Sequence, residues 1–126
     1  MMADGVQLAK ALAKFASEKQ AEDIVVLNLE GISTITDYFV ICTGTSMPHL
    51  KAVRREIVDQ CMRKLGAKPA SSDGSLESQW VVMDFGDVVV HVFHKDKREF
   101  YALEDLWSDA LRVELDDVGV EAGAVL

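Results

Sequence analysis

The sequence predicts an α/β fold: a single-domain sandwich in which helices flank a mixed β-sheet. Three observations carry this. Apolar residues recur at spacings of three and four in a segment near each end and one in the middle of the chain. Between them lie short β-branched runs that are apolar on both alternating faces, as strands covered on two sides require. The resulting order, helix, two strands, helix, two strands, helix, supplies two antiparallel hairpins, and the central helix is long enough to cross between parallel strands.

At 126 residues the chain can bury roughly two-thirds of its unfolded surface in one domain. Apolar residues at 49% and charged residues at 27% place it among globular proteins rather than disordered ones. Thirteen basic against 21 acidic side chains leave a net charge of -8. Such a chain repels phosphate backbones unless it carries a local basic patch, and a basic protein surface is its more natural partner. Cys42 and Cys61 lack C-x-x-C spacing and sit in apolar segments, so two buried thiols in a reducing compartment are expected. No run approaches the roughly 18 apolar residues that span a bilayer, and Asp4 and Lys10 break any signal-peptide pattern. A cytoplasmic location is expected, without a membrane.

The first helix is read from about Val6 to Glu18, on Leu8, Ala11, Leu12, Phe15 and Ala16. Ile24 to Leu29 and Tyr38 to Thr43 read as buried strands separated by Glu30-Gly31-Ile32-Ser33 turn chemistry. Ser46 is placed to cap the central helix and Pro48 falls in its first turn. Leu50, Val53, Ile57, Cys61 and Leu65 make its apolar stripe, and Lys51, Arg54, Arg55, Asp59 and Arg63 face outward. Gly66 and Pro69 end it. Ala70 to Ser78 reads as a surface loop with room for a short edge strand. Trp80–Phe85 and Val88–Phe93 are two strands joined by Gly86-Asp87, a tight-hairpin signal. Asp96 with Glu99 looks like a capping pair. Phe100, Leu103, Leu106, Trp107, Ala110 and Leu111 then line a last helix. The domain is therefore drawn over residues 1–113, and 114–126 is an acidic, Gly-containing tail expected to be mobile.

Catalytic arrangements fail one after another. His91 and His94 stand three apart at a strand end, so they point to opposite faces, and no third ligand has zinc spacing. No metal and no cofactor are expected. Asp84-Phe85-Gly86 spells a kinase triplet without the rest of a kinase. Gly44-Thr45-Ser46 opens a helix after a strand, but the P-loop lysine is absent, and simple capping accounts for it. Cys42 lies within an apolar strand, where burial suppresses the thiolate. No catalytic residue emerges, and a binding protein, not an enzyme, is expected. Trp80 after a polar loop, and Tyr101 among Glu104, Asp105 and Ser108, suit an interface with aromatic anchors and an acidic rim. The alternative, that the tryptophans are core and the carboxylates solvate a helix, stays open on pattern alone.

Three blocks then carry a family resemblance. The first is Asp23-Ile24-Val25 leading to Ser33-Thr34-Ile35-Thr36-Asp37-Tyr38-Phe39-Val40-Ile41-Cys42-Thr43-Gly44-Thr45-Ser46. The second is Trp80-Val81-Val82-Met83-Asp84-Phe85-Gly86-Asp87-Val88-Val89-Val90-His91-Val92-Phe93. The third is Arg98-Glu99-Phe100-Tyr101-Ala102-Leu103-Glu104-Asp105-Leu106-Trp107. In this order and spacing the chain resembles the ribosomal silencing factor (Iojap) family from about Val6 to Trp107. The resemblance implies a nucleotidyltransferase-like sandwich, often a homodimer when free. It also implies binding to the large ribosomal subunit through ribosomal protein L-fourteen, which sterically blocks the small subunit and represses translation. A role in large-subunit biogenesis is implied as well, with no sequence-specific nucleic acid binding. The second and third blocks supply the expected contact residues: Trp80, Asp84, Asp87, Tyr101, Glu104 and Asp105. Two rival readings are an acidic self-associating scaffold for another basic protein and a nucleotidyltransferase-type enzyme. The enzyme needs paired carboxylates after the turn to hold magnesium, yet the first acid after it is Glu56, well into the helix.

Overall fold

The computed structural model of the chain describes residues 5–75, 79–101, 103–113 and 115. Helix α1 (Gly5–Glu18) buries Leu12, Phe15 and Ala16 of the predicted stripe together with Ala9 and Ala13, while Leu8 and Ala11 are partly buried beside them. It ends where Gln20 turns left-handed (φ 60°) and the Gln20 and Ala21 N–H groups donate back to Ser17 and Ala16 carbonyls. Strand β1 (Glu22–Asn28) and strand β2 (Tyr38–Gly44) then pair antiparallel, with an irregularity near Asp23 at the start of β1.

Helix α2 (Met47–Leu65) begins as its residues dictate: Ser46 Oγ accepts from the His49 N–H at 3.2 Å, and Pro48 lies in the first turn. Gly66, at φ 66°, closes it with a left-handed cap. Gly44 sets how closely α2 approaches β2. A Cβ there would fall 2.6 Å from Leu50 Cδ1 and 3.2 Å from the Leu50 backbone nitrogen, so only hydrogen fits. Ser46→Ala is expected to cost about 1 kcal/mol of unfolding free energy, read by urea denaturation, because the orphan His49 N–H loses its acceptor.

Edge strand β3 (Ser71–Ser75) forms within the predicted loop and pairs with β4 (Trp80–Asp84), which pairs with β5 (Val88–His94). The β4–β5 turn closes through the Phe85 N–H donating to the Val88 carbonyl at 2.8 Å, with Gly86 at φ 93°. β5 lies parallel to β2, with α2 in the connection between them. The chain finishes with α3 (Lys95–Tyr101), α4 (Leu103–Leu106) and β6 (Leu111–Arg112), giving a six-stranded mixed sheet in the order β3-β4-β5-β2-β1-β6.

Alternation sorts every central strand onto two faces. The first face, including Val26, Val40, Cys42, Met83, Val88, Val90 and Val92, packs under α1 and α2. The second, with Leu27, Ile41 and Phe93, packs under Leu103 of α4 and is bordered by Phe39, Trp80 and Trp107.

Three details differ from the pattern reading. The last helix is broken: α3 and α4 are separate, the Ala110 N–H closes a turn onto the Trp107 carbonyl, and Leu111, 74% exposed, enters β6. A free edge of β1 explains this, since Leu27 and Asn28 pair with Arg112 and Leu111 there. α3 begins at Lys95, and the Asp96 N–H donates to His94 Nδ1 at 3.1 Å, so His94 rather than Asp96 caps it. Leu65, 39% exposed, leaves the buried stripe in the last turn of α2. The tail 114–126, apart from Leu115, lies outside the described residues.

Candidate partner-binding face

The second sheet face is built around aromatic rings. Trp80 opens β4 opposite Phe93 of β5, and their rings stack at 5.0 Å between centroids. Val82 is the partner of His91, which places the His91 ring between its neighbours. Phe39, on the adjacent β2, meets that ring edge-on at 4.5 Å and meets Trp107 edge-on at 5.9 Å. The four rings Trp80, His91, Phe39 and Trp107 thus run obliquely from β4 across β5 and β2 to the turn after α4. Trp80 and Trp107 are half-buried, so the tryptophans serve as neither wholly core nor wholly surface residues.

His91 is the polar centre of this patch. The Trp80 Nε1–H donates to His91 Nδ1 at 3.1 Å, which leaves the ring proton on Nε2. Nε2 is buried and has no hydrogen-bond partner among the described residues. Burial drives the His91 pKa down to about 4, so the ring is neutral at physiological pH. An all-apolar strand interrupted by one histidine was the sequence signal for this residue; its tryptophan partner depends on strand register.

Carboxylates border the patch unevenly. Asp84 shares the β4 face with Trp80, about 13 Å along the strand at the usual rise, and its Oδ1 accepts the Gly86 N–H at 2.8 Å. Asp105 is exposed on α4. Asp87 lies in the exposed turn at the sheet's end. Its carbonyl accepts the Asp37 and Tyr38 N–H groups, and its Cβ lies 3.8 Å from where a side chain on Gly5 of α1 would begin. Asp87 therefore stands at the opening of α1, apart from the aromatic rings. Tyr101 and Glu104 belong to α3 and α4, which cross this face, but their side chains lie outside the described residues.

Other chemistry is closed off locally. His49 Nδ1 accepts the Thr45 N–H at 2.9 Å and Ser46 Oγ takes the His49 N–H, so these groups of the β2–α2 turn are already paired. Burial pushes the Cys42 thiol up to about 12, only partly opposed by Arg98, and raises Cys61 too. Arg98 instead donates to Thr43 Oγ1 at 2.6 Å, fastening α3 to the end of β2. No group of three His, Cys, Asp or Glu among the described residues could hold a metal ion. No helix among them is long and apolar enough to cross a membrane.

The architecture is that of a small α/β sandwich with helices on both faces of a mixed sheet. It is shared with a crystal structure of a Chromobacterium violaceum protein, at a TM-score of 0.78 and 25% identity over 84% of this chain and 88% of that one. Residues 3–124 match the family described as "Ribosomal silencing factor during starvation", and the chain belongs to that family. It is 48% identical to the ribosomal silencing factor of Bacillus subtilis, over 86% of this chain and 92% of that protein. It is also 34% identical to the mouse protein named "Mitochondrial assembly of ribosomal large subunit protein 1", over 77% of this chain and 43% of that one.

Proposed function

We propose that this protein binds the large ribosomal subunit through ribosomal protein L-fourteen and sterically blocks the small subunit, repressing translation in the cytoplasm without catalysis. The observation that supports this best is the aromatic patch of half-buried Trp80, Phe39 and Trp107 around buried His91, with Asp84 on the same sheet face and Asp105 exposed on α4. Rigid rings and neutral His91 suit a desolvated interface centre, and the carboxylates suit a basic partner's rim. Strands hold the rings, so docking needs little reordering. Occlusion requires only an interface of ordinary size that overlaps the subunit bridge region. Free in solution, the chain pairs as a homodimer in this reading. The mouse relative's name favours a second role in assembly of the large subunit, which the same surface would serve.

Sucrose-gradient sedimentation with purified subunits tests the reading. The protein is expected to travel with the large subunit and to deplete joined ribosomes. Protein left at the top of the gradient, with joining unaffected, would favour an acidic scaffold for another basic partner. Reversing two α4 charges together, Glu104→Lys with Asp105→Lys, is expected to weaken large-subunit binding about tenfold, mainly through slower association at low salt. Unchanged binding of that variant would remove the acidic rim from the account.

A further inference from the structure

Charge is segregated between the two layers of this acidic protein. Helices α1 and α2 carry seven lysines and arginines against three acids. The chain holds 13 and 21. Thirteen less seven leaves six basic residues elsewhere, and 21 less three leaves 18 acidic ones, so the helices are at +4 and the remainder at -12.

Packing sharpens the contrast. Lys51, Arg55, Asp59 and Arg63 form one row at i, i+4 spacing, on the side of α2 opposite buried Leu50, Val53, Ile57 and Cys61. The row holds three cations around a single carboxylate. Exposed Lys14 adds to it from α1, and Lys64 sits between the helices with its Nζ 5.8 Å from the Phe15 ring centre. Two of the three helix acids share one neutral donor. Gln60, almost fully buried, donates through Nε2 to Glu18 at 2.7 Å and to Glu56 at 2.6 Å. Gln60 thereby ties the partly buried Glu56 of α2 to the exposed Glu18 of α1, leaving Asp59 as the one acid within the row. Among the described residues, Lys51, Arg55 and Arg63 make no ion pair within 4.0 Å.

We propose that the α1–α2 layer is a second docking surface, for the phosphate backbone of folded ribosomal RNA. The proposal rests on the large-subunit reading and adds a second contact to it. A chain of net charge -8 is repelled by RNA as a whole, so only a face with locally concentrated cations can approach it. Lys51 and Arg55 lie about 6 Å apart along the helix, and Arg63 about 12 Å beyond Arg55, at 1.5 Å rise per residue. Such a row contacts phosphates and reads no base sequence. With its sheet face toward a basic protein and its helices toward RNA, the molecule has only one favourable orientation between them.

The test is sedimentation of the full chain with purified large subunits between 50 and 200 mM potassium chloride, comparing wild type with Lys51→Glu plus Arg55→Glu. Both side chains are exposed, so the variant should keep the wild-type far-UV circular dichroism and thermal midpoint. Its affinity is expected to fall at least about tenfold at the lower salt, with the log–log salt slope reduced by about 1–2. Binding to isolated ribosomal protein L-fourteen should stay unchanged. If wild type binds and the variant binds equally with the same slope, the RNA contact is overturned and the large-subunit reading stands. If the variant loses affinity for the isolated protein to the same degree, the helices touch protein, and the inference is again wrong. Failure of wild type itself to bind would overturn both readings.

Discussion

Phe93→Ala is expected to cost about 3–5 kcal/mol of unfolding free energy, a large part of the roughly 5–15 kcal/mol that native domains commonly have. Phe93 is fully buried and sits with Leu27, Leu29, Ile41 and Leu103 in the core of the second sheet face. Its ring also supports Trp80 by stacking, so truncation opens a cavity beneath the face proposed to dock on the ribosome. α4 rests on the same cluster through Leu103. Urea denaturation monitored by tryptophan fluorescence measures the loss, and Phe93→Leu, which fills most of the space, should cost only about 1–2 kcal/mol. A double-mutant cycle with Trp80→Ala should show a coupling of about 0.5–1.5 kcal/mol. A loss for Phe93→Ala below about 1 kcal/mol would mean that this layer is not packed as described.

Much of the central sheet was legible in the sequence. The first hairpin, the central helix and the parallel β2–β5 pair follow from local signals: apolar runs, the Ser46 cap, the Gly66 stop and a helix of crossover length. The end of the chain was not legible. Spacings from Phe100 to Leu111 fit one continuous helix, yet the free edge of β1 captures Leu111 and Arg112 and ends it. That competition is between a local period and a distant hydrogen-bonding edge, which no window of sequence contains. Trp80 and Asp84 share a strand face by simple alternation, and this could be read directly. The Trp80–His91 hydrogen bond could not, because it requires the register of β4 on β5. The outward cations of α2 were visible in the periodicity, whereas the hydrogen bonds from Gln60 to Glu18 and Glu56 depend on how two helices pack.

Acid should weaken the fold through His91, by about 3 kcal/mol between pH 6.5 and pH 4. Its folded pKa is about 4, against about 6.5 for an unfolded histidine. Below pH 6.5 the unfolded chain therefore takes up a proton that the folded chain refuses, and stability falls until the folded ring also titrates. Above pH 6.5 neither state is charged there, and the group contributes no pH dependence. The cause is structural. Its ring contacts are Phe39, Trp80 and Phe93, none of them able to balance an imidazolium, and a proton on Nδ1 would face the Trp80 N–H that now donates to it. Denaturant titrations at pH 7 and pH 4.5 measure the effect, with His91→Gln as the comparison. Glutamine still offers Trp80 an acceptor but does not titrate, so its loss on acidification should be smaller than wild type's by about 2–3 kcal/mol. Carboxylate titration elsewhere is common to both proteins and cancels in this difference. Parallel losses would remove His91 as the cause. The low pKa also bears on the proposed docking: an imidazolium at the centre of the aromatic patch would have to be desolvated against the basic partner proposed above, and burial keeps that charge from forming at neutral pH.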